Sequence, residues 1–319
     1  MPQPTQGAVH QNVPLANVSI AYMQDNRDYV ATRVFPIVPV DKLSNLIYIF
    51  TKGDWFRDEA VKRAPASQSA GSGYGVSTTS YTCDTFAFHK DVPDDIRKNA
   101  DSVFNMDREA TEFVTSRLLL RLEKQWVTDY FTTSIWATDS TPAALWSDYA
   151  NSDPVGDVRT AIRTIKLNTG KTPNKFVLGY DVFIKLVDHP DILARINGGA
   201  TNSQPALVNE EMLARIFGVD EVMVCGAINN TAAEGATVVM AFVQGKHALL
   251  VHVPPAPGLL TPSAGYTFLW TGISTTGQTV GVRKFRMEDL KADRVEGEIA
   301  FDNKVMGTDL GYFFASVVA

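Results

Sequence analysis

The residues of this chain best suited to chemistry do not stand at the spacings a reaction needs. Gly170-Lys171-Thr172 ends like a phosphate-binding loop, whose backbone N–H groups cradle phosphates while the lysine reaches them. That loop needs a glycine five residues before Gly170, and the position holds Ile165, so the triplet reads as a turn. Gly71, Gly73 and Gly75 lack the dinucleotide-binding spacing and have no βαβ unit around them; they predict a flexible loop. His10, His89, His189, His247 and His252 are scattered, and no pair brackets a glutamate at the i, i+4 spacing of a zinc hydrolase. His247 and His252 would face opposite sides of one strand. No serine occupies a Gly-x-Ser-x-Gly elbow, and the pairs Asp94-Asp95 and Glu210-Glu211 read as solvated or capping groups. Cys83 and Cys225 lie far apart, outside any Cys-x-x-Cys, which argues against a disulfide framework or structural zinc and fits a reducing compartment. The expectation is no catalytic, metal or cofactor-binding residue, and no cofactor.

With no chemistry to position, the elements themselves become the subject. The chain has 319 residues, 45% of them hydrophobic and 20% charged, enough for one large or two modest domains with a real core. A formal net charge of -6 lacks the basic footprint of a dedicated nucleic-acid binder, so direct DNA gripping is not expected. Met1 to Gln6 lacks a basic segment leading into an apolar core, and no apolar run reaches the roughly 18 residues of a membrane helix. Neither a signal peptide nor a membrane span is expected.

Residues 1–45 are punctuated by prolines, including Pro36 and Pro39, around the apolar patches Val18-Ser19-Ile20 and Val34 to Val40; they predict an extended arm with little regular structure. Leu46 to Phe50 and Tyr81 to Phe88 are runs of β propensity separated by a long polar, Gly- and Ser-rich stretch, predicting a protruding hairpin. Trp55, Phe56 and Tyr74 are large rings in that polar stretch, of the kind that seek a partner surface. From Asn105 to Phe131 there is no Pro or Gly, Asn105 is a candidate N-cap, and Asp107 and Glu109 suit the first turn of a long spine helix. Met106, Ala110, Phe113, Leu120, Val127 and Phe131 share one face, with Leu118, Leu119, Leu122, Trp126 and Tyr130 nearly opposite, which predicts a helix sandwiched between two layers. Helices and strands then alternate through Val155 to Val253 as an α/β subdomain. Pro254 to Gly258 leads out, and β-like runs at 267–270, 279–287, 294–301 and 311–318 predict a closing antiparallel sheet. The fold class is α+β. Ordering a long arm costs on the order of 1 kcal/mol or more per residue, which neighbouring subunits are better placed to offset than one small core.

Read in the order arm, hairpin, spine helix, α/β subdomain and closing sheet, the chain resembles the major capsid proteins of tailed bacteriophages with the Hong Kong 97-like fold. The wording of one branch of that family recurs in Lys52 to Ala60, in Met106 to Val114, in Phe176 to Tyr180 with Asp188 to Asp191, and in Val253 to Gly258. The resemblance runs from about residue 5 to the C-terminus. It implies an N-terminal arm at 1–45, an E-loop hairpin at 46–92, a peripheral domain at 93–154 that holds the spine helix and is completed by a closing sheet at 256–319, and an axial domain at 155–255. It also implies hexamers and pentamers closing into an icosahedral shell, assembled in the bacterial cytoplasm, around double-stranded DNA bound without sequence preference. Portal, scaffold or decoration proteins are further partners it allows. The E-loop of one subunit would then lie over its neighbour, making Trp55, Phe56, Arg57 and Tyr74 the candidate intersubunit contacts, while loops 197–205 and 227–234 would crowd the capsomer centre. Some relatives join an E-loop lysine to an asparagine of a neighbour; Lys52, Lys62 and Asn303 are present, with no motif that assigns them that role. The chain begins at the arm, so any scaffold or protease would be separate or the sequence already mature. An encapsulin-like compartment enclosing protein cargo is the alternative shell, and an α/β enzyme built on 155–255 is the alternative class. Deleting residues 1–40 is expected to abolish shells and leave a folded axial domain.

Overall fold

The computed structural model describes residues 24–50, 52–99, 105–196, 208–258, 260–273 and 279–319. Most of the predicted arm, including Val18-Ser19-Ile20, and the predicted axial loop 197–205 lie outside the described residues. What is described of the arm differs from an extended strap. A 3-10 turn at Asn26–Asp28, capped by Asp25 accepting the Arg27 N–H, leads into a one-turn helix, α1 (Ala31–Val34), and a strand, β1 (Ile37–Val40). Val30, Ala31, Val34 and Phe35 are buried in the central core. Their i, i+1, i+4, i+5 spacing is that of a single helical turn with one apolar side, a signal too short to stand out among prolines. Pro39 is tolerated because β1 is the edge strand of its sheet.

The hairpin is a twisted ribbon of β2 (Ser44–Phe50) and, after a short helix α2 (Lys52–Trp55), β3 (Val76–Thr82), paired from Ser44↔Thr82 to Phe50↔Val76. The expected partner of β2, Tyr81 to Phe88, is therefore misplaced by several residues. Its apolar part belongs to the next strand, β4 (Asp84–Pro93), which leaves the ribbon to join the main sheet. The true partner, Val-Ser-Thr-Thr-Ser-Tyr-Thr, is largely exposed and so lacks the alternation that marks a half-buried strand.

After a short helix, α3 (Asp94–Asn99), comes the spine helix α4 (Met106–Tyr130), 25 residues or about 38 Å. Asn105 caps it by accepting the Arg108 N–H at 3.1 Å. Ala110, Val114, Leu118, Leu122, Trp126 and Tyr130 form its buried stripe. The two-sided sandwich is corrected to one buried side: Phe113, Leu120 and Val127 are only partly covered, because Arg117, Arg121 and Lys124 share the outward face with Leu120. Toward its end α4 meets the arm, Phe35 packing on Tyr130 at 4.5 Å and on Trp126 at 6.0 Å between ring centres.

The α/β part comprises β5 (Asp139–Ser140), α5 (Pro154–Thr169), β6 (Lys175–Gly179), α6 (Tyr180–Val187), α7 (Pro190–Ile196), α8 (Glu210–Phe217), β7 (Glu221–Cys225), β8 (Ile228–Asn230), β9 (Met240–Phe242) and β10 (Ala248–Val251). Asp153 caps α5 with Pro154 at its first position, and Gly170 ends it at φ 69°, where a side chain would be strained. The remaining strands are β11 (Gly265–Trp270), β12 (Gly281–Met287), β13 (Ala292–Val305) and β14 (Gly311–Phe314). One sheet runs β1-β11-β13-β12 with β4 also on β13; the other runs β5-β14-β10-β6-β7. The last strand thus departs from the expected closing sheet: β14 lies inside the α/β sheet, between β5 and β10. Its four residues are all buried, the unbroken apolar run of a strand covered on both faces. β13 carries α4 so closely that a Cβ at Gly297 would lie 2.5 Å from Val114 and 2.7 Å from Leu118.

Candidate assembly interface

The ribbon's tip holds the four residues singled out above. Trp55, carried by α2, and Tyr74, just before β3, come together with Phe50 as a ring cluster, with centre separations of 5.4, 5.9 and 6.3 Å. The Gly75 N–H donates to Asp54, which closes the tip and sets Tyr74 beside Trp55. Phe56 points elsewhere: its ring lies against Gly170, where a Cβ would sit 3.3 Å away. Arg57 is paired locally, with Glu59 at 3.1 Å and Asp54 at 3.8 Å. Trp55, Phe56 and Tyr74 stay 53%, 66% and 60% exposed, and Leu46 and Tyr48 beside them are similarly open. Between ribbon and body runs a groove of about 720 Å³, lined by Leu46, Tyr48, Phe50, Trp55, Tyr266 and Phe268 among others. Lys52 ties the ribbon to the body through Asp309. Asn303 is buried, its amide donating to Asp129 and its oxygen accepting the Thr267 hydroxyl.

The arm is fixed by residues that sequence reasoning missed. Glu123 of α4, 1% exposed, accepts the backbone N–H of Val30 at 3.2 Å and of Ala31 at 2.9 Å, at the start of α1. Burial pushes its carboxyl up to about 7 against the opposing effect of those two hydrogen bonds. At the other end of α1, the Lys175 ammonium donates to the carbonyls of Arg33 at 2.7 Å and Val34 at 3.0 Å; burial lowers its pKa, with Glu221 opposing. A carboxylate thus meets the positive end of the turn and an ammonium its negative end. Gln24 adds a strand-like pair, donating to the Ile228 carbonyl and accepting its N–H. The arm therefore links α4, β6 and β8. The available signal was a glutamate whose i±4 neighbours are Leu119 and Val127.

Other polar groups are arranged for structure. Ser152 donates to the Asp148 carbonyl and lies 3.0 Å from His189 Nε2, while His189 Nδ1 faces the Asp191 N–H. With its proton on the carbonyl, the serine is not activated by the imidazole. Burial pushes the Cys83 thiol up to about 11 and raises that of Cys225 well above its ordinary value, the reverse of a reactive cysteine. Among the described residues no group of three His, Cys, Asp or Glu is placed to hold a metal. Arg97, Lys284 and Arg286 converge on Asp293, with Asp107 and Asp94 completing a network of ion pairs that binds α3 and the start of α4 to β12 and β13.

No family model matches the sequence. The chain is 25% identical over 323 residues to a major capsid protein of Burkholderia phage BcepMu, covering 95% of both chains. Its fold is similar to that of a phage-related protein from Bordetella bronchiseptica RB50, with TM-score 0.69 and 21% identity over 92% of this chain and 93% of that one. It is also similar to the mature capsid of bacteriophage PhiM1, at TM-score 0.58 and 12% identity over 96% and 91%. The SrpI encapsulin of Synechococcus elongatus aligns at TM-score 0.56 and 11% identity over 97% of each chain. A ribbon, a spine helix and an α/β sheet in this order are the Hong Kong 97-like capsid fold, and over nearly its whole length the sequence is similar to that of a phage major capsid protein.

Proposed function

We propose that this chain is the repeating subunit of a tailed-phage head, assembling in the bacterial cytoplasm as hexamers and pentamers into an icosahedral shell around double-stranded DNA, and that it works without catalysis. The observation that carries this reading is the match to a major capsid protein over 95% of both chains. In it, residues 1–45 serve as the N-terminal arm, 46–92 as the E-loop with β4 returning to the main sheet, 93–154 and 256–319 as the peripheral domain apart from β5 and β14, and 155–255 as the axial domain, whose sheet β5 and β14 join. The Phe50–Trp55–Tyr74 cluster supports an E-loop contact because it holds three rings in a preset arrangement with most of Trp55 and Tyr74 open, which reduces the entropy lost on docking. Phe56 and Arg57 complete the proposed contact. Each contact need only be modest, since a subunit joined to several neighbours is held by all of them at once.

Size exclusion followed by negative-stain electron microscopy tests this directly. Closed shells or ring-shaped capsomers are expected; a monomer that persists at high concentration across salt and pH would overturn it. Trp55→Ala with Tyr74→Ala is expected to reduce shell yield and leave the melting of the unassembled chain unchanged. The fold shared with an encapsulin keeps a second shell reading in view, and the content of purified particles separates the two: DNA for the phage head, a protein cargo for the compartment.

A further inference from the structure

Among the described residues, the outward side of α4 carries a strip of cations without direct ion pairs, of which Arg121 at one margin borders Asp84, Asp129 and Asp302. Arg117, Arg121 and Lys124 are exposed and fall within one narrow arc, spanning about 10 Å of the helix axis. Lys90 of β4 lies beside them. Three of these cations are set over rings: Arg117 at 5.1 Å and Lys90 at 5.4 Å from the centre of Phe113, and Arg121 at 4.6 Å from Phe86. Such stacking fixes where the cationic heads stand without neutralising them. None of the four has an ion-pair partner among the described residues. The nearby Glu112 is taken by Arg108, and Asp129, which borders Arg121, accepts from Gln125 and Asn303. Residues 1–23 contain no Asp, Glu, Lys or Arg, so that segment of a neighbour cannot supply the missing anions.

We propose that this cationic, ring-backed side of the spine helix is the surface that meets double-stranded DNA, gripping phosphates and reading no sequence. The proposal rests on the capsid reading and names the side of the subunit that faces the genome. A duplex carries one negative charge per about 1.7 Å of axis, so the 10 Å of helix faces about six phosphates, of which three or four can be contacted. The net charge of -6 discourages indiscriminate binding over the rest of the chain.

The test is the affinity of the unassembled full chain for a random-sequence duplex of about three helical turns, by fluorescence anisotropy across 50–200 mM salt. For three to four contacts, log affinity should fall against log salt with a slope of about -3 to -3.5, roughly a hundredfold loss across that range. The triple variant Arg117→Gln, Arg121→Gln, Lys124→Gln keeps good helix formers and should lose most of that slope while still forming shells. Reversal of Lys62 and Arg63 on the ribbon should leave it unchanged. Equal slopes in wild type and triple variant, or no salt-dependent binding by the wild type, would overturn the proposal. Loss of shells in the triple variant with DNA affinity intact would overturn it too, assigning the strip to a neighbouring copy's acidic surface. Failure of the wild type to assemble is a separate result, counting against the capsid reading.

Discussion

Glu123 makes the unassembled subunit's stability depend on pH in a direction opposite to that of most carboxylates. Its carboxyl is held at about 7 in the folded chain, against an ordinary value of 4.5 in the unfolded one. Between those values the folded chain binds a proton that the unfolded chain does not. The stabilisation is therefore complete below pH 4.5 and lost as pH rises through 7, with a ceiling of about 3 kcal/mol. A chain of this size gains about 2–4 °C of melting temperature per kcal/mol. The perturbation is Glu123→Gln, which cannot titrate; its amide NH2 confronts one of the two backbone N–H donors and leaves it unpaired, at a cost of about 1–3 kcal/mol. The assay is urea unfolding of the unassembled chain at steps from pH 5 to pH 8.5, followed by tryptophan fluorescence, since Trp126 is buried on the same helix one turn away. Other carboxylates titrate in both proteins, so the informative quantity is the difference: wild type should gain on the variant as pH falls from 8 to 5. If the gap between the two curves stays constant over that range, the buried carboxylate is not the proton-binding group and the reasoning fails.

Lys175→Met leaves the carbonyls of Arg33 and Val34 without their donor and is expected to cost about 1–3 kcal/mol in urea unfolding, with the α/β sheet intact by circular dichroism. Gly297→Ala drives a methyl into Val114 and Leu118 and should destabilise by about 1–3 kcal/mol; substituting Ala at the exposed Gly71, which meets nothing, should not. Deleting residues 1–40 removes Val30, Val34 and Phe35 from the core and leaves Glu123 unpaired, so the truncated chain should melt lower and expose apolar surface to a hydrophobic dye. A folded axial domain is still expected to remain, together with the loss of shells.

What the sequence disclosed, and what it concealed, follows from how far each signal reaches along the chain. The spine helix was legible almost to the residue because Asn105, the early acids and the absence of Pro and Gly are all local. The α/β alternation was legible for the same reason. The partner of β2 was not, since an exposed ribbon leaves no alternation to read, and β14 was assigned to the wrong sheet because a buried apolar run carries no record of which strands flank it. The Trp55–Tyr74 pairing depends on a turn closed by Asp54 and Gly75, twenty-one positions apart. Glu123 and Lys175 act on a one-turn helix far from both in sequence, and that relation exists only in three dimensions.

The parallel pairing of β1 with β11, Ile37 opposite Thr267, has a consequence for how the subunit is made. At a synthesis rate of about 5–20 residues per second, roughly ten to fifty seconds separate the emergence of the two strands from the ribosome. Over that interval the apolar stretch from Val30 to Val40 has neither its sheet partner nor, at first, Glu123 or Lys175 to hold it. Each newly made chain thus passes through a state in which this apolar stretch is uncovered. The order of the strands therefore delays the completion of this sheet until the chain is nearly finished.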